Sequence, residues 1–184
     1  MIIAHLPAGY LLTKTLSAKF DAARARGLWI WGLLASVFPD IDILYFHLID
    51  GAARNHRYYP THWPLFWLGL FVVAAAVLLM ARRRDLLAYP TVFLAGVGLH
   101  LLLDCLAGPV FYAAPFSWDR IQLIRVPSVY GWWVWNFIRH WTFQLELMTW
   151  ALAFLVHGLS AWERGRKKSV YFKPWKDLSG ANLL

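Results

Sequence analysis

Four stretches of the chain, residues 28–49, 63–81, 86–107 and 141–162, are runs of mostly apolar residues. Each is close to the roughly 20 residues that one helical crossing of a bilayer needs. Each run predicts a spanning helix, and the short connections between the first three predict neighbours packed as one bundle. The first seventeen residues are also apolar, but they contain His5 and Pro7 and show neither a basic leader nor a small-residue cleavage motif. They predict a short helix dipping into the membrane rather than a removable signal peptide. The expected fold class is therefore all-α: a polytopic membrane bundle of about four spanning helices plus a short N-terminal membrane-dipping helix. It occupies one embedded domain over residues 1–162, followed by a basic tail over 163–184.

Composition agrees with this pattern. Hydrophobic residues make up 60% of the 184 positions and there are 12 tryptophans, with a mean hydropathy of +0.48, more than a soluble domain ordinarily carries. The single cysteine, Cys105, falls inside a run, so no intramolecular disulfide can form. The net charge of +8 does not point to nucleic acid, because the lysines and arginines flank the apolar runs. Thirteen of the 18 would share one membrane face if the runs alternate in direction, and five, Arg54, Arg57, Arg120, Arg125 and Arg139, the other. The positive-inside rule assigns the first face, with both basic terminal segments, to the cytoplasm.

Only the run over 63–81 lacks ionisable residues. The others hold Asp40, Asp42 and His47, then His100 and Asp104, then Glu146 and His157, which hydrocarbon does not accommodate without a compensating role. At 1.5 Å of rise per residue, Asp40 and Asp42 lie about 21 and 24 Å from Arg26, and His100 and Asp104 about 24 and 30 Å from Arg84. His62 lies about 30 Å from Arg82, and His5 about 21 Å from Lys19 if the chain between is helical. With His56 in the adjoining loop, seven residues from five stretches collect at one height.

His100 and Asp104 form H-x-x-x-D, an i,i+4 pair on one helical face. Asp40 and Asp42 form P-D-I-D, where Pro39 breaks the helix and two carboxylates need a proton or a cation between them. The mixture of imidazole and carboxylate suits zinc, with manganese or iron as alternatives, and the donor count, which exceeds one tetrahedral shell, favours two ions bridged by Asp40 or Asp42 over one. The expected metal ligands are His5, Asp40, Asp42, His62, His100 and Asp104. His56, Arg57 and Glu146 are the expected catalytic residues: His56 for proton transfer or else as a further metal ligand, Arg57 for a substrate phosphate. Glu146, about 27 Å from Arg164, is expected as a base or as the group that orients a histidine.

The motifs H-L-P-A-G-Y at 5–10, F-P-D-I-D at 38–42, N-H-R-Y-Y-P-T-H-W at 55–63, and L-H-L-L-L-D at 99–104 followed by P-F-S at 115–117 together resemble the YdjM-like family of LexA-regulated, inner-membrane, metal-dependent hydrolases. The resemblance covers about residues 1–118. It implies a bacterial inner-membrane hydrolase with site residues at His5, Asp40, Asp42, His56, Arg57, Thr61, His62, His100 and Asp104. The family commonly shows a tighter H-R-x-x-T-H-S, whereas Pro60 lengthens the spacing here and Trp63 replaces the serine. Lipid-phosphate phosphatases also carry H-x-x-x-D, but with a serine–arginine pair shortly before it, where this chain has Phe93 and Leu94.

Metal, arginine and bilayer meeting at one height favour a substrate with a phosphate headgroup and an apolar tail, a phospholipid or polyprenyl phosphate. The aromatic-rich segment over 108–140 reads as an interfacial belt. Membrane lipids are the expected partners. Two other functions use the same residues: a metal-stabilised scaffold without turnover, and a metal transporter, which the confinement of the cluster to one face disfavours.

Overall fold

The computed structural model describes residues 1, 3–51 and 55–171, so the tail beyond 171, with Lys173 and Lys176, lies outside the described residues, as does Arg54. Among the described residues the chain is helical: α1 (His5–Ser17), α2 (Ala22–Val37), α3 (Asp42–Leu48), α4 (Pro64–Met80), α5 (Ala88–Ala107), α6 (Trp133–Ile138) and α7 (Thr142–Tyr171). Three helical stretches are long and apolar enough to cross a membrane, Arg24–Leu48, Arg84–Ala107 and Thr142–Arg166. The fourth expected span is the shorter apolar α4, 17 residues long, or about 26 Å.

Local chemistry sets the element ends. The Asp21 carboxylate accepts from the backbone N–H of Arg24 at 3.0 Å, capping the start of α2. Pro39 interrupts the first long stretch: α2 stops at Val37, a 3-10 turn covers Phe38–Ile41, and α3 resumes at Asp42. Pro64 begins α4, a position where a missing N–H costs nothing. At its other end Arg82 adopts φ 57°, and the N–H groups of Arg82 and Arg83 return to the carbonyls of Leu79 and Leu78 at 3.0 and 2.8 Å. This is a Schellman closure with arginine where glycine is usual.

α5 is central, packed against α1, α2 and α4, with α7 lying on the far side of α1. Its buried face runs through Val92, Gly96, Val97, His100, Leu101, Asp104 and Cys105. Elsewhere the bundle turns apolar side chains outward: Val73 is 62% exposed and Met80 84%. These surfaces suit hydrocarbon, not water.

Small residues let α1, α2 and α5 approach closely. A Cβ on Gly9 would overlap the Ser36 side chain, and one on Gly32 would overlap Thr13. Gly9/Thr13 and Gly32/Ser36 are thus interlocked small-x-x-x-small pairs, a packing device suited to apolar surroundings. A Cβ on Gly96 would stand 2.7 Å from the Ala35 Cβ and 3.2 Å from the Gly32 carbonyl oxygen, whereas Gly98 has open space. Gly96→Ala should therefore destabilise the bundle by about 1–3 kcal/mol through overpacking. Gly98→Ala, one helical residue pair away, should be neutral or stabilising by up to about 1 kcal/mol. Thermal unfolding of the two variants in detergent checks the contrast, and equal behaviour would remove the close-packing role.

Candidate metal centre

The site is built on the close helix packing. His100 and Asp104 continue the buried face of α5 beyond Gly96, and both are essentially inaccessible, at 0% and 1%. Where α2 stops before Pro39, its last carbonyls no longer have intrahelical partners. The His100 Nδ1–H donates to one of them, the Ser36 carbonyl, at 2.8 Å. A carbonyl only accepts, so the proton is on Nδ1, and Nε2 turns its lone pair toward the interior of the site.

The 3-10 turn after α2 places Asp40 opposite this ring, and two further 3-10 turns, His56–Tyr58 and Pro60–His62, bring in the remaining side chains. The Asn55 side chain accepts from the Arg57 N–H at 3.0 Å, starting the first turn. The His62 Nδ1–H donates to Asp42 Oδ2 at 2.7 Å, so its Nε2 also faces the interior. Thr61 Oγ1 donates to the same oxygen, and His56 Nδ1 approaches Asp42 Oδ1 at 3.2 Å.

Four atoms converge: Asp40 Oδ1, His62 Nε2, His100 Nε2 and Asp104 Oδ2. His62 Nε2 lies 3.5 Å from both Asp40 Oδ1 and Asp104 Oδ2, and His100 Nε2 lies 3.5 and 3.8 Å from the same two oxygens. A tetrahedral ion with bonds near 2.1 Å sets its donors about 3.4 Å apart. Three of the four atoms, those of His62, His100 and Asp104, are buried without any hydrogen-bond partner, which apolar surroundings penalise heavily. The group could hold a metal ion, and so could a second, overlapping group of Asp42, His56 and His62.

Asp104 divides its two oxygens between different tasks. Oδ1 receives the Met1 α-ammonium at 2.8 Å, Arg57 Nη2 at 2.9 Å and His5 Nε2 at 3.3 Å, leaving Oδ2 for the centre. Arg57 lies against Gly108, where a Cβ would overlap its guanidinium, so a side chain there would have to displace that group.

His5 sits beside the four donors rather than among them, its ring stacked on His100 with centroids 3.8 Å apart. Glu146, fully buried, is in neither of the two donor groups. Its Oε2 accepts from the backbone N–H groups of Ile3 and Ala4, the latter at 3.0 Å, and so holds the start of α1. The residues that sequence reasoning missed are Ser36, which acts through a backbone carbonyl, and Gly108. Neither carries a side-chain signal, although the proline three residues after Ser36 marks a place where carbonyls come free.

The aromatic segment also has a defined place. Tyr58 packs on Phe111 and Trp118, with ring centroids at 4.4 and 5.7 Å, and Trp63 meets Trp118 edge-on. These rings brace the loop that carries His56 and His62. Trp132, just before α6, and Trp133 and Trp135 within it are exposed.

His62 lies outside the apolar spans. Burial disfavours its cation, but Asp104, Asp40 and Asp42 outweigh burial and raise its pKa from 6.5 to about 10. The proton on His62 thus stabilises the metal-free site fully below 6.5, and that contribution is lost as pH rises through about 10. A cation entering among the donors must displace that proton. Apparent affinity for a divalent ion should therefore increase with pH between these limits, with a proton released on binding. Calorimetry in buffers of different ionisation enthalpy measures the release, and a pH-independent affinity would contradict it.

No curated protein and no solved structure matches the chain. The family model described as YdjM inner membrane protein matches residues 1–166, which bears out the resemblance carried by the motifs and extends it through most of α7: the chain belongs to the YdjM inner membrane protein family.

Proposed function

We propose that this protein is a membrane-embedded, metal-dependent hydrolase acting on a phosphoester of a lipid or polyprenyl phosphate. The observation that carries the reading is the convergence of Asp40, His62, His100 and Asp104 on one point, with three donor atoms buried and unpartnered. A divalent ion held by these four, zinc by the donor chemistry or else manganese or iron, supplies Lewis acidity and an acidified water at neutral pH.

The other residues serve that point. Ser36 and Asp42 fix the tautomers of His100 and His62, as outer partners of metal-ligating histidines do. The 2.7 Å between Asp42 and His62 is a hydrogen-bond distance, shorter than the about 3.4 Å between two ligands of one ion, so Asp42 orients and a single ion suffices. His5 backs His100 by stacking. His56, on the partly exposed side of Asp42, is placed to move a proton, and Arg57 holds Asp104 while offering positive charge to a phosphate. The basic residues at the opposite helix ends, Lys19, Arg24, Arg26, Arg82 to Arg84 and Arg164, support an orientation with the site near the outer face of the inner membrane.

A second reading has its own observation. Four protein donors fill a tetrahedral shell, the pattern of a closed structural site; the same centre would then pin α5 to the loop before α4 without turnover. Against it, Asp40 is 27% exposed on its side chain, so the shell has an open edge where a fifth ligand can enter.

The protein purified in mild detergent should carry about one equivalent of divalent metal by elemental analysis, lost in a folded His100→Ala/Asp104→Ala variant. Asp42→Asn should weaken metal affinity about 10–100-fold. Metal-loaded protein should release phosphate or a phosphoalcohol from lipid phosphates, and chelation should stop it. Metal absent after reconstitution with zinc and manganese would overturn the reading. Bound metal whose removal unfolds the protein, with no turnover of any lipid phosphate, would establish the scaffold instead.

A further inference from the structure

One side chain, Phe38, lines the first of two apolar hollows and contacts two wall residues of the second. The first, about 360 Å³, opens on the face of Leu34, Val37, Phe38, Ile41 and Leu44, and among the described residues Asp40 is the one charged residue in its wall. Among the four converging donors, His62, His100 and Asp104 are at most 1% exposed while Asp40 is 27% exposed. That cluster therefore reaches the surface through Asp40, and it does so into an apolar hollow rather than a polar one.

The second hollow, about 410 Å³, is a groove between α2, α4 and α5 walled by residues including Trp31, Trp67, Phe71, Ala74, Phe93 and Leu94, with no charged residue among the described ones. Along α4 it extends from Trp67 to Leu78, about 16 Å. The Phe38 ring stands edge-on to both Trp67 and Phe93, with centroids at 5.9 Å, so it partitions the groove from the hollow at Asp40. The head of the groove is tied to the donors as well: the Trp67 indole N–H donates to the Thr61 carbonyl at 2.7 Å, and the Thr61 hydroxyl donates to Asp42.

Size and polarity select the occupant. A helix about 10 Å wide and 16 Å long occupies roughly 1,300 Å³, three times the groove, and an extended peptide would leave its backbone groups unpaired against these walls. One hydrocarbon chain meets both conditions, and the bilayer supplies it. We infer that the groove holds a single long hydrocarbon chain of the substrate, whose phosphate end reaches Asp40 sideways from the bilayer past Phe38. This rests on the phosphoester-hydrolase reading above and adds to it a lateral entry route and a chain-length requirement.

The test uses the full chain in nanodiscs with a long-chain alkyl phosphate bearing a diazirine at mid-chain. After photolysis, peptide mass spectrometry should place adducts mainly in residues 67–94. Ala74→Trp and Leu94→Trp, which fill the groove from opposite walls, should each lower that labelling tenfold or more. Their folding is checked by thermal unfolding, and either folded variant suffices. Both should also lower the ratio of kcat/KM for long-chain over short-chain phosphates about tenfold. Labelling spread over the outward faces of α4 and α7, and indifferent to either folded variant, would overturn the assignment. Labelling confined to the groove with no hydrolysis of any phosphate would support the chain site and refute the hydrolase reading, so the two fail separately.

Discussion

The carboxylates of Asp40, Asp42 and Asp104 sit together among helices whose outer surfaces are apolar, and charge of one sign cannot be kept there without compensation. The fold answers by bringing donors from separate parts of the chain. α1 contributes His5, the loop before α4 contributes His56, Arg57 and His62, and α5 contributes His100. Each carboxylate is therefore also a joint between elements that are distant in sequence. The electrostatic demand of the site and the tertiary arrangement of the bundle are one constraint.

Meeting that demand needs short interhelical distances, which the glycines provide. Gly9, Gly32 and Gly96 allow α1, α2 and α5 to pack backbone against backbone, and His5, Ser36 and His100 all lie within about one turn of those points. Glu146, reaching from α7 to the backbone at the start of α1, fixes the far side of the same assembly. One buried acid anchors backbone here beside other acids whose oxygens converge with imidazole nitrogens on a point that could hold a cation, and the difference lies in the partners: amide N–H groups for one, imidazoles for the others.

Much of this arrangement is legible in the sequence because helices convert residue number into height. α5 is a continuous helix, so counting from Arg84 places His100 and Asp104 correctly, and counting from Arg164 puts Glu146 at the right level. Height carries no azimuth, however, and the direction in which Glu146 points is settled by α1 packing against α7. The split between Asp40 and Asp42 was equally hidden. Two residues apart, they face different atoms of His62 because the chain passes from a 3-10 turn into α3 between them. Pro39 announces a break without specifying its geometry. The apolar run over 63–81 predicts a full span, but Pro64 and the Arg82 closure trim the helix to 17 residues.

The hydrogen bond from His100 to the Ser36 carbonyl bears on how this centre tolerates variation. The atom that sets the imidazole tautomer belongs to the peptide unit, so it persists whatever side chain position 36 carries, provided that chain fits against Gly9. Side-chain partners such as Asp42 can be lost in one substitution; this acceptor cannot. Drift at the sequence level is thereby separated from drift in the chemistry of the ring, and inheritance of the site's acid–base state is entrusted to the place where a helix ends.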